Sequence, residues 1–409
     1  MRILIWSQYF WPENFRINEI VQQLSLQGNA LTVLTSKPNY PEGAIYPGYK
    51  AWGIDRESYS DAEVIRIPII PRRKGSKLDL ILNYLSFILS GYIFAPFALK
   101  NRKYSVVFVY APSPLLQALP AIFIAWLKGA KLVIWVQDLW PDALEATGFV
   151  KNKWVLKAAG VVVKFIYKHA DSILIPSEAF RPSIEPFVSD KNSIIYLPNP
   201  ADDLTVMKET TPKATKIAQD ISKYFSLIYA GNIGHAQSVE TIIQAANLLI
   251  SYPEIKFYLV GSGNRAKTIS TMIEDQKLEN VVMVGQFPYS DMGAIFAVSS
   301  GLILSLKNYD SLSKTIPSKL QSYLSAGKPI IGSLNGEGKR LISEIRTGFS
   351  SPAEDPKSLA DQVLKLYTLK PQEREKMGKN GREHYECFYS VPIITKCLEK
   401  YLKFKDPTL

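Results

Sequence analysis

Residues 225–249 read FSLIYAGNIGHAQSVETIIQAANLL, and their order decides the fold. An apolar run over 225–230 has the length of a strand. Gly231 and Gly234 follow, and helical patterning runs from about 239 to 250. Strand, glycine turn and helix in that order form the opening unit of a parallel α/β sheet. Glycine after the strand lets backbone N–H groups approach a phosphate, and the helix N-terminus adds partial positive charge. An ordinary tight turn would use the same glycines, and the full G-x-G-x-x-G fingerprint is absent.

The rhythm continues in both directions. Downstream, residues 256–260, 281–284, 301–305 and 329–333 read as strands, the last two each after a helical segment. Upstream, strands are expected at 2–6, 30–35, 63–67, 106–110, 131–137, 172–176 and 193–196, with a helix over 14–27 closed by Gly28-Asn29. Residues 197–216 are rich in Pro, Thr, Asp and Lys and form the natural linker. Residues 380–403 look helical and amphipathic.

Bulk properties agree with two α/β domains. The chain has 409 residues, too many for one ordinary core, with 47% apolar and 21% charged residues. Cys387 and Cys397 are the only cysteines, and their spacing fits no zinc pattern. The N-terminus lacks a signal-peptide layout, so a cytoplasmic protein is expected. The formal charge is +11. Part of the excess is local: Arg72, Arg73, Lys74 and Lys77 precede an apolar run, and Lys100, Arg102 and Lys103 follow it.

That run, residues 80–99, carries no charge and is long enough to cross a bilayer. Asn83, Ser86 and Ser90 draw a narrow polar stripe along it, and Gly91 and Pro96 read as interruptions. Three readings stay open: a helix on or in a membrane surface, a core helix, and a true span. The flanking basic residues favour the first. Nucleic acid is a poor reading of the charge, because the cations do not interleave with aromatics in a known module.

Candidate chemistry lies where strands end. Gly261-Ser262-Gly263 follows strand 256–260 and reads equally as a turn or a second diphosphate contact. In TIPSKLQSYLSAGKPIIG, Pro317 opens a helix over 318–325 and Gly327 closes it. Lys319 stands in the first turn, where a cation opposes the helix dipole, which suggests that it serves an anion. In the first half, residues 9–16 (YFWPENFR) and 137–142 (QDLWPD) follow strands and face the ligand side of the sheet. Asp138 is the carboxylate best placed as a base or a hydroxyl ligand, or else as a helix N-cap. Asp142 and Glu145 read as first-turn charges of a helix. His169, His235 and His384 are too dispersed for a metal, and only His235 sits in a candidate site. No G-x-S-x-G, H-E-x-x-H or full Walker A pattern occurs.

Taken together, SQYFWPENFR, QDLWPDALEATG, YAGNIGHAQSVE and TIPSKLQSYLSAGKP resemble the retaining glycosyltransferase family four, in its WbuB-type O-antigen and capsule branch. The resemblance covers essentially the whole chain. It implies the GT-B fold: α/β, two Rossmann-like doubly wound domains with a cleft between them that closes on substrate. Residues 1–199 would bind acceptor, 200–380 the nucleotide-sugar, and 381–409 would pack back on the first domain. The implied reaction moves a sugar from a UDP-sugar to a lipid-linked acceptor, without metal or other cofactor, on the cytoplasmic face of the inner membrane. An anionic membrane surface would meet residues 72–103, and the donor sugar would be an N-acetylated 6-deoxyhexosamine such as N-acetyl-L-fucosamine.

The resemblance also implies residue roles. Catalytic roles fall on Asp138, Glu13 and Arg16, and acceptor binding on Asn14 and Trp140. Donor binding falls on Gly231, Asn232, Gly234, His235, Gln237, Gly261, Ser262, Gly263, Phe287, Lys314, Pro317, Ser318, Lys319 and Gln321. Two departures stand out. The family's usual Arg and Lys on the diphosphate are replaced by Asn232 and Gln237, and its two Glu, eight residues apart, by Lys314 and Ser322. Lys319 and Arg16, with Lys314 or His235, are expected to take over the phosphate charge, and Gln321 part of the Glu role. A sugar-nucleotide epimerase of the same fold and a non-catalytic binding protein are the competing functions.

Overall fold

The structure, a computed structural model, describes residues 1–74, 76–141, 152–206 and 210–403. It divides into two compact units, Met1–Asn199 with Ile394–Leu409, and Pro200–Ile393.

The first unit is built on eight strands: β1 (Arg2–Trp6), β2 (Ala30–Ser36), β3 (Asp55–Tyr59), β4 (Ala62–Ile67), β5 (Val106–Ala111), β6 (Lys131–Val136), β7 (Ser172–Ile175) and β8 (Ile194–Tyr196). Their order is β3-β4-β2-β1-β5-β6-β7-β8. Every pairing is parallel except β3 with β4. Both faces are covered, so the strands are nearly continuously apolar and their side chains sort by period two. Leu4, Trp6, Val107 and Val109 enter one core, while Ile3, Ile5, Val106 and Phe108 enter the other. On the second face lie α1 (Ile17–Leu26) and the C-terminal residues Ile394, Leu398 and Leu402.

Helices α2 (Lys77–Ala98), α3 (Ala118–Lys128) and α4 (Lys153–Lys168) lie on the first face. The expected interruption of α2 does not occur. Gly91 permits a close approach instead: a Cβ there would stand 2.8 Å from Pro120 and 2.9 Å from Trp6. Pro96 falls in the last turn, two residues before the helix ends. The polar stripe faces the protein. Asn83 accepts from Gln8 Nε2 at 2.8 Å and donates to the Ile70 carbonyl at 2.7 Å, and Ser86 accepts from the Ile70 N–H.

The second unit holds six parallel strands: β9 (Phe225–Ala230), β10 (Ile255–Val260), β11 (Val281–Gly285), β12 (Gly301–Ser305), β13 (Ile330–Ser333) and β14 (Gly348–Ser351). The order β11-β10-β9-β12-β13-β14 reverses direction between β9 and β12, as the first sheet does between β1 and β5. Such switch points open a crevice beyond the strands' carboxyl ends, where ligands bind in this class of sheet.

The linker and the C-terminus differ from the sequence reading. A helix, α5 (Pro212–Ile221), begins inside the expected linker, capped by Thr211. The amphipathic C-terminal stretch is two helices, Pro371–Phe388 and Val391–Lys403. The first belongs to the second unit, where Arg382 grips Asp203 through two bonds of 2.6 and 2.7 Å. Only Ile394–Leu409 groups with the first unit, where Lys131 Nζ donates to the Tyr401 carbonyl.

Candidate functional site

In the second unit the loops after β9, β10 and β11 are laced together by backbone bonds. The N–H of Gly231 donates to the Val260 carbonyl at 2.8 Å, that of Ile233 to Ser262 at 2.7 Å, and that of Gly261 to Gly285 at 2.8 Å. The crossing is so close that a Cβ on Gly261 would stand 2.0 Å from the Gly231 oxygen, and one on Gly263 would stand 2.4 Å from the Ile233 oxygen. Their φ angles of +139° and +156° suit glycine as well. The glycines read from sequence as phosphate contacts bring two backbones together at the switch point.

Lys319 reaches into this crossing. It stands in the first turn of α6 (Ser318–Ser325), and a Cβ on Gly231 would be 2.6 Å from its Cε and 3.1 Å from its Nζ. Its ammonium donates to the Tyr229 hydroxyl and lies 3.7 Å from the Tyr229 ring centroid. The Tyr229 hydroxyl in turn donates to the Asn232 carbonyl at 2.5 Å. No carboxylate pairs with Lys319 among the described residues. Burial pulls its ammonium down from the ordinary lysine range to about 7. A cation held without an acidic partner beside close-packed backbone is poised for an anion from outside.

The remaining donor-side residues divide into those at the turn and those turned away from it. Asn232 and Gln237 bond to each other at 3.3 Å and flank Gly234, so the positions of the absent Arg and Lys form a neutral clasp. His235 Nε2 lies 3.3 Å from the Tyr309 hydroxyl at the solvent side of the turn. Ser262 accepts from Gln286 at 2.5 Å, and Phe287 lies under the Lys213 ammonium at 4.3 Å. Pro317 is the N-cap residue of α6, and Ser318 is exposed. Lys314 is paired with Asp310 at 2.8 Å on its own short helix, and Gln321 lies on the buried face of α6.

In the first unit, Glu13 organises the loops around it. Its carboxylate accepts the N–H groups of Asn39 at 2.8 Å, Tyr40 at 2.7 Å and Phe10 at 3.2 Å, which ties the loops after β1 and β2. Burial raises its carboxyl to about 7, against the lowering effect of those N–H groups. Trp140 is buried, in the same core cluster as Leu139. Asp142 and Glu145 lie outside the described residues. Asn14 is exposed on the loop after β1.

Asp138, just past β6, keeps a path to water, yet partial burial raises its carboxyl to about 6. Arg16, Glu19 and Asp138 converge electrostatically on Tyr110, at the end of β5. Burial raises that hydroxyl well above the ordinary tyrosine value, Arg16 opposes the shift, and Glu19 and Asp138 add to it. The sequence reading missed an aromatic cluster on the neighbouring loops. Tyr9 stacks on Phe15 at 5.0 Å, Tyr40 lies within 5.7 Å of both rings, and the Arg72 guanidinium stands over Tyr40 at 5.0 Å. The signal was available in the dense aromatics of residues 9–15 and 40, all on loops that follow strands.

Two Rossmann-like sheets, each with a switch point, define a two-unit α/β fold, and comparison with known proteins gives the family. Residues 14–200 match the glycosyl transferase 4-like domain, and residues 212–384 match glycosyl transferases group 1, so the chain belongs to these glycosyltransferases. It is 26% identical over 345 residues to a putative colanic acid biosynthesis glycosyl transferase, WcaI, of Escherichia coli K12, covering 80% of this chain and 82% of that one. It is 22% identical over 315 residues to a probable glycosyltransferase, WbjE, of Pseudomonas aeruginosa, covering 75% and 76%. Among solved structures, HepE of Anabaena in complex with UDP superposes with a TM-score of 0.70 at 13% identity, covering 98% of this chain and 99% of that one. The trehalose-6-phosphate synthase of E. coli bound with UDP-2-fluoro glucose gives 0.72 at 11% identity, with both chains fully covered. These similarities establish a GT-B hexosyltransferase fold and a transferase activity.

Proposed function

We propose that the protein transfers a sugar from a UDP-sugar to a lipid-linked acceptor, such as an undecaprenyl-diphosphate sugar, in the assembly of a bacterial surface glycan of the O-antigen or capsule kind. The observation that carries this reading is Lys319 against Gly231, a cation with no acidic partner among the described residues where three loops cross. The donor diphosphate lies there, met by Lys319, by N–H groups of the glycine turns and by the first turn of α6. Those groups neutralise the leaving UDP without a metal. The relatives' names in colanic acid biosynthesis and the UDP complexes among neighbours support donor and pathway.

The transfer retains configuration. The C1–O bond to the β-phosphate breaks, the acceptor oxygen bonds to C1 on the same face, and the acceptor proton passes to the departing phosphate oxygen. Ionised Asp138 accepts a hydrogen bond from that hydroxyl and orients it. Arg16 balances the nearby carboxylates. The sugar is an N-acetylated 6-deoxyhexosamine, N-acetyl-L-fucosamine being the specific candidate from the WbuB-type motifs. The protein works at the cytoplasmic face of the inner membrane, with residues 72–103 against anionic lipid, and nucleic acid is not a partner.

The test is incubation of purified protein in EDTA with a panel of UDP- and GDP-sugars, with and without a short-chain lipid-diphosphate-GlcNAc, followed by mass spectrometry. Acceptor-dependent UDP release with a matching mass gain on the lipid supports the reading. Conversion without acceptor would mean an epimerase or hydrolase, and nucleotide binding with no turnover on any donor would contradict transfer to this acceptor class.

A further inference from the structure

We propose that the outer sides of α2, α3 and α4 form one surface that rests on an anionic lipid leaflet, well beyond residues 72–103. The proposal extends the membrane part of the functional reading but stands on a separate observation: these helices are built inside out. In α2 the polar stripe is turned inward, while Leu78, Ile81, Leu85, Leu89, Tyr92, Ile93 and Phe97 are exposed. By length and composition α2 could cross a membrane, yet it is fixed along the sheet by Phe87, Gly91 and Ala95. It therefore lies on a leaflet rather than through it.

The exposure continues across the neighbours. All three helices pack on the same face of one sheet, and α3 touches both others. Tyr92 of α2 meets Phe123 of α3 at 5.9 Å, and Phe123 stacks on Trp126 at 6.1 Å. Trp126 is 76% exposed, and on α4 Trp154 is 78% exposed, with Val161 and Phe165 also open. Monomeric proteins rarely leave so broad an apolar area in water. Tryptophan, apolar with one polar N–H, suits the headgroup level.

Charge selects the occupant. The three helices carry Lys77, Lys128, Lys153, Lys157, Lys164 and Lys168 against a single acid, Asp79. Lys100 and Lys103 border the C-terminal end of α2, while Arg102 between them is paired with Glu63. Pairing two copies through this surface would set Lys157, Lys164 and Lys168 against like charge, which disfavours a dimer. Anionic lipid answers both the apolar area and the cationic rim.

The test is sedimentation of the full chain with vesicles of phosphatidylcholine alone, and of an equal mixture with phosphatidylglycerol, in the absence of sugar-nucleotide and acceptor. Failure of the transferase reading and failure of this one are therefore distinguishable. Wild type should bind the mixed vesicles about tenfold or more tightly than the neutral ones, with the preference lost at high salt. Trp126→Glu/Phe165→Glu, Leu89→Glu/Phe97→Glu and Lys157→Glu/Lys164→Glu/Lys168→Glu should each weaken binding by about tenfold, with thermal unfolding and UDP binding unchanged. The lysine set alters exposed side chains only, so folding does not confound it. Wild-type affinity in both the lysine set and Trp126→Glu/Phe165→Glu would confine any lipid contact to α2 and overturn the proposal. So would wild type that ignores both vesicles, or one that dimerises through this surface.

Discussion

The ammonium of Lys319 lies over the ring of Tyr229, 3.7 Å from its centroid, and donates to its hydroxyl. Lys319 belongs to a helix that follows β12 in the chain, and Tyr229 to the end of β9, so the contact bridges the switch point of the second sheet. The usual cationic positions of the glycine turn hold Asn232 and Gln237, which bond to each other. On the proposed reading, the positive charge for the diphosphate sits on the helix that faces the turn.

That relocation can be reversed. Asn232→Arg/Gln237→Lys, introduced into a Lys319→Met background, should recover most of the UDP affinity that Lys319→Met loses. Calorimetric titration of UDP into the three proteins reads this directly. Equal, weak binding by the double and triple variants would mean that the turn and Lys319 do not share one ligand.

The rate should depend on pH through two groups whose shifts point opposite ways. Asp138 is raised to about 6, so its ionised form, the one that holds a hydroxyl, is complete only above that value. Lys319 is lowered to about 7, so its charged form is lost as pH rises through that value. The profile of kcat/KM should be a bell with its maximum between about 6 and 7. Asp138→Asn should cut kcat by about 100-fold or more and flatten the acid limb. Lys319→Met should flatten the alkaline limb. An unchanged profile in Asp138→Asn would remove that carboxylate from the reaction.

Two glycines offer a matched contrast in the second unit. Gly261→Ala places a Cβ 2.0 Å from the Gly231 carbonyl oxygen, so the crossing must separate and UDP binding should be abolished. Gly285→Ala meets nothing within 4 Å and bears only the strain of φ +77°, about 1–2 kcal/mol. Thermal unfolding together with UDP titration separates the two. Gly261→Ala with native affinity would show that the crossing is not part of the site.

Glu13→Gln removes one of the acceptor oxygens that serve three backbone N–H groups. The loss should be about 1–3 kcal/mol of stability, visible as a lowered unfolding temperature, with KM for acceptor rising more than kcat falls. A large fall in kcat with unchanged stability would give Glu13 a catalytic role beyond loop organisation.

Legibility from sequence followed the locality of the signal. The apolar strands, Gly231, Gly261 and the first-turn Lys319 are visible because period, turn chemistry and dipole sense are local. β3 was missed because DRESY is charged, and it is held at an edge by cross-strand pairs: Arg56 bonds Glu63 at 2.7 Å, and Glu57 pairs with Arg66. The structural duty of Glu13 was not visible because nothing nearby in sequence shows that its partners are backbone groups 26 and 27 residues away. The burial of Gln321 and Trp140 was not legible because it depends on which face the tertiary packing covers. The inverted polarity of α2 was half visible: the stripe of Asn83, Ser86 and Ser90 was plain, but its inward direction was not.

The most direct measurement is the affinity of UDP for wild type and for Lys319→Met at pH 6.5, where burial still leaves most of the ammonium charged. The account predicts a loss of about 10- to 100-fold, equivalent to one charge-assisted contact of roughly 1.5–3 kcal/mol. It also predicts proton uptake on binding in wild type and a smaller uptake in the variant. Equal affinity and equal uptake in the two proteins would contradict the placement of the diphosphate against Lys319.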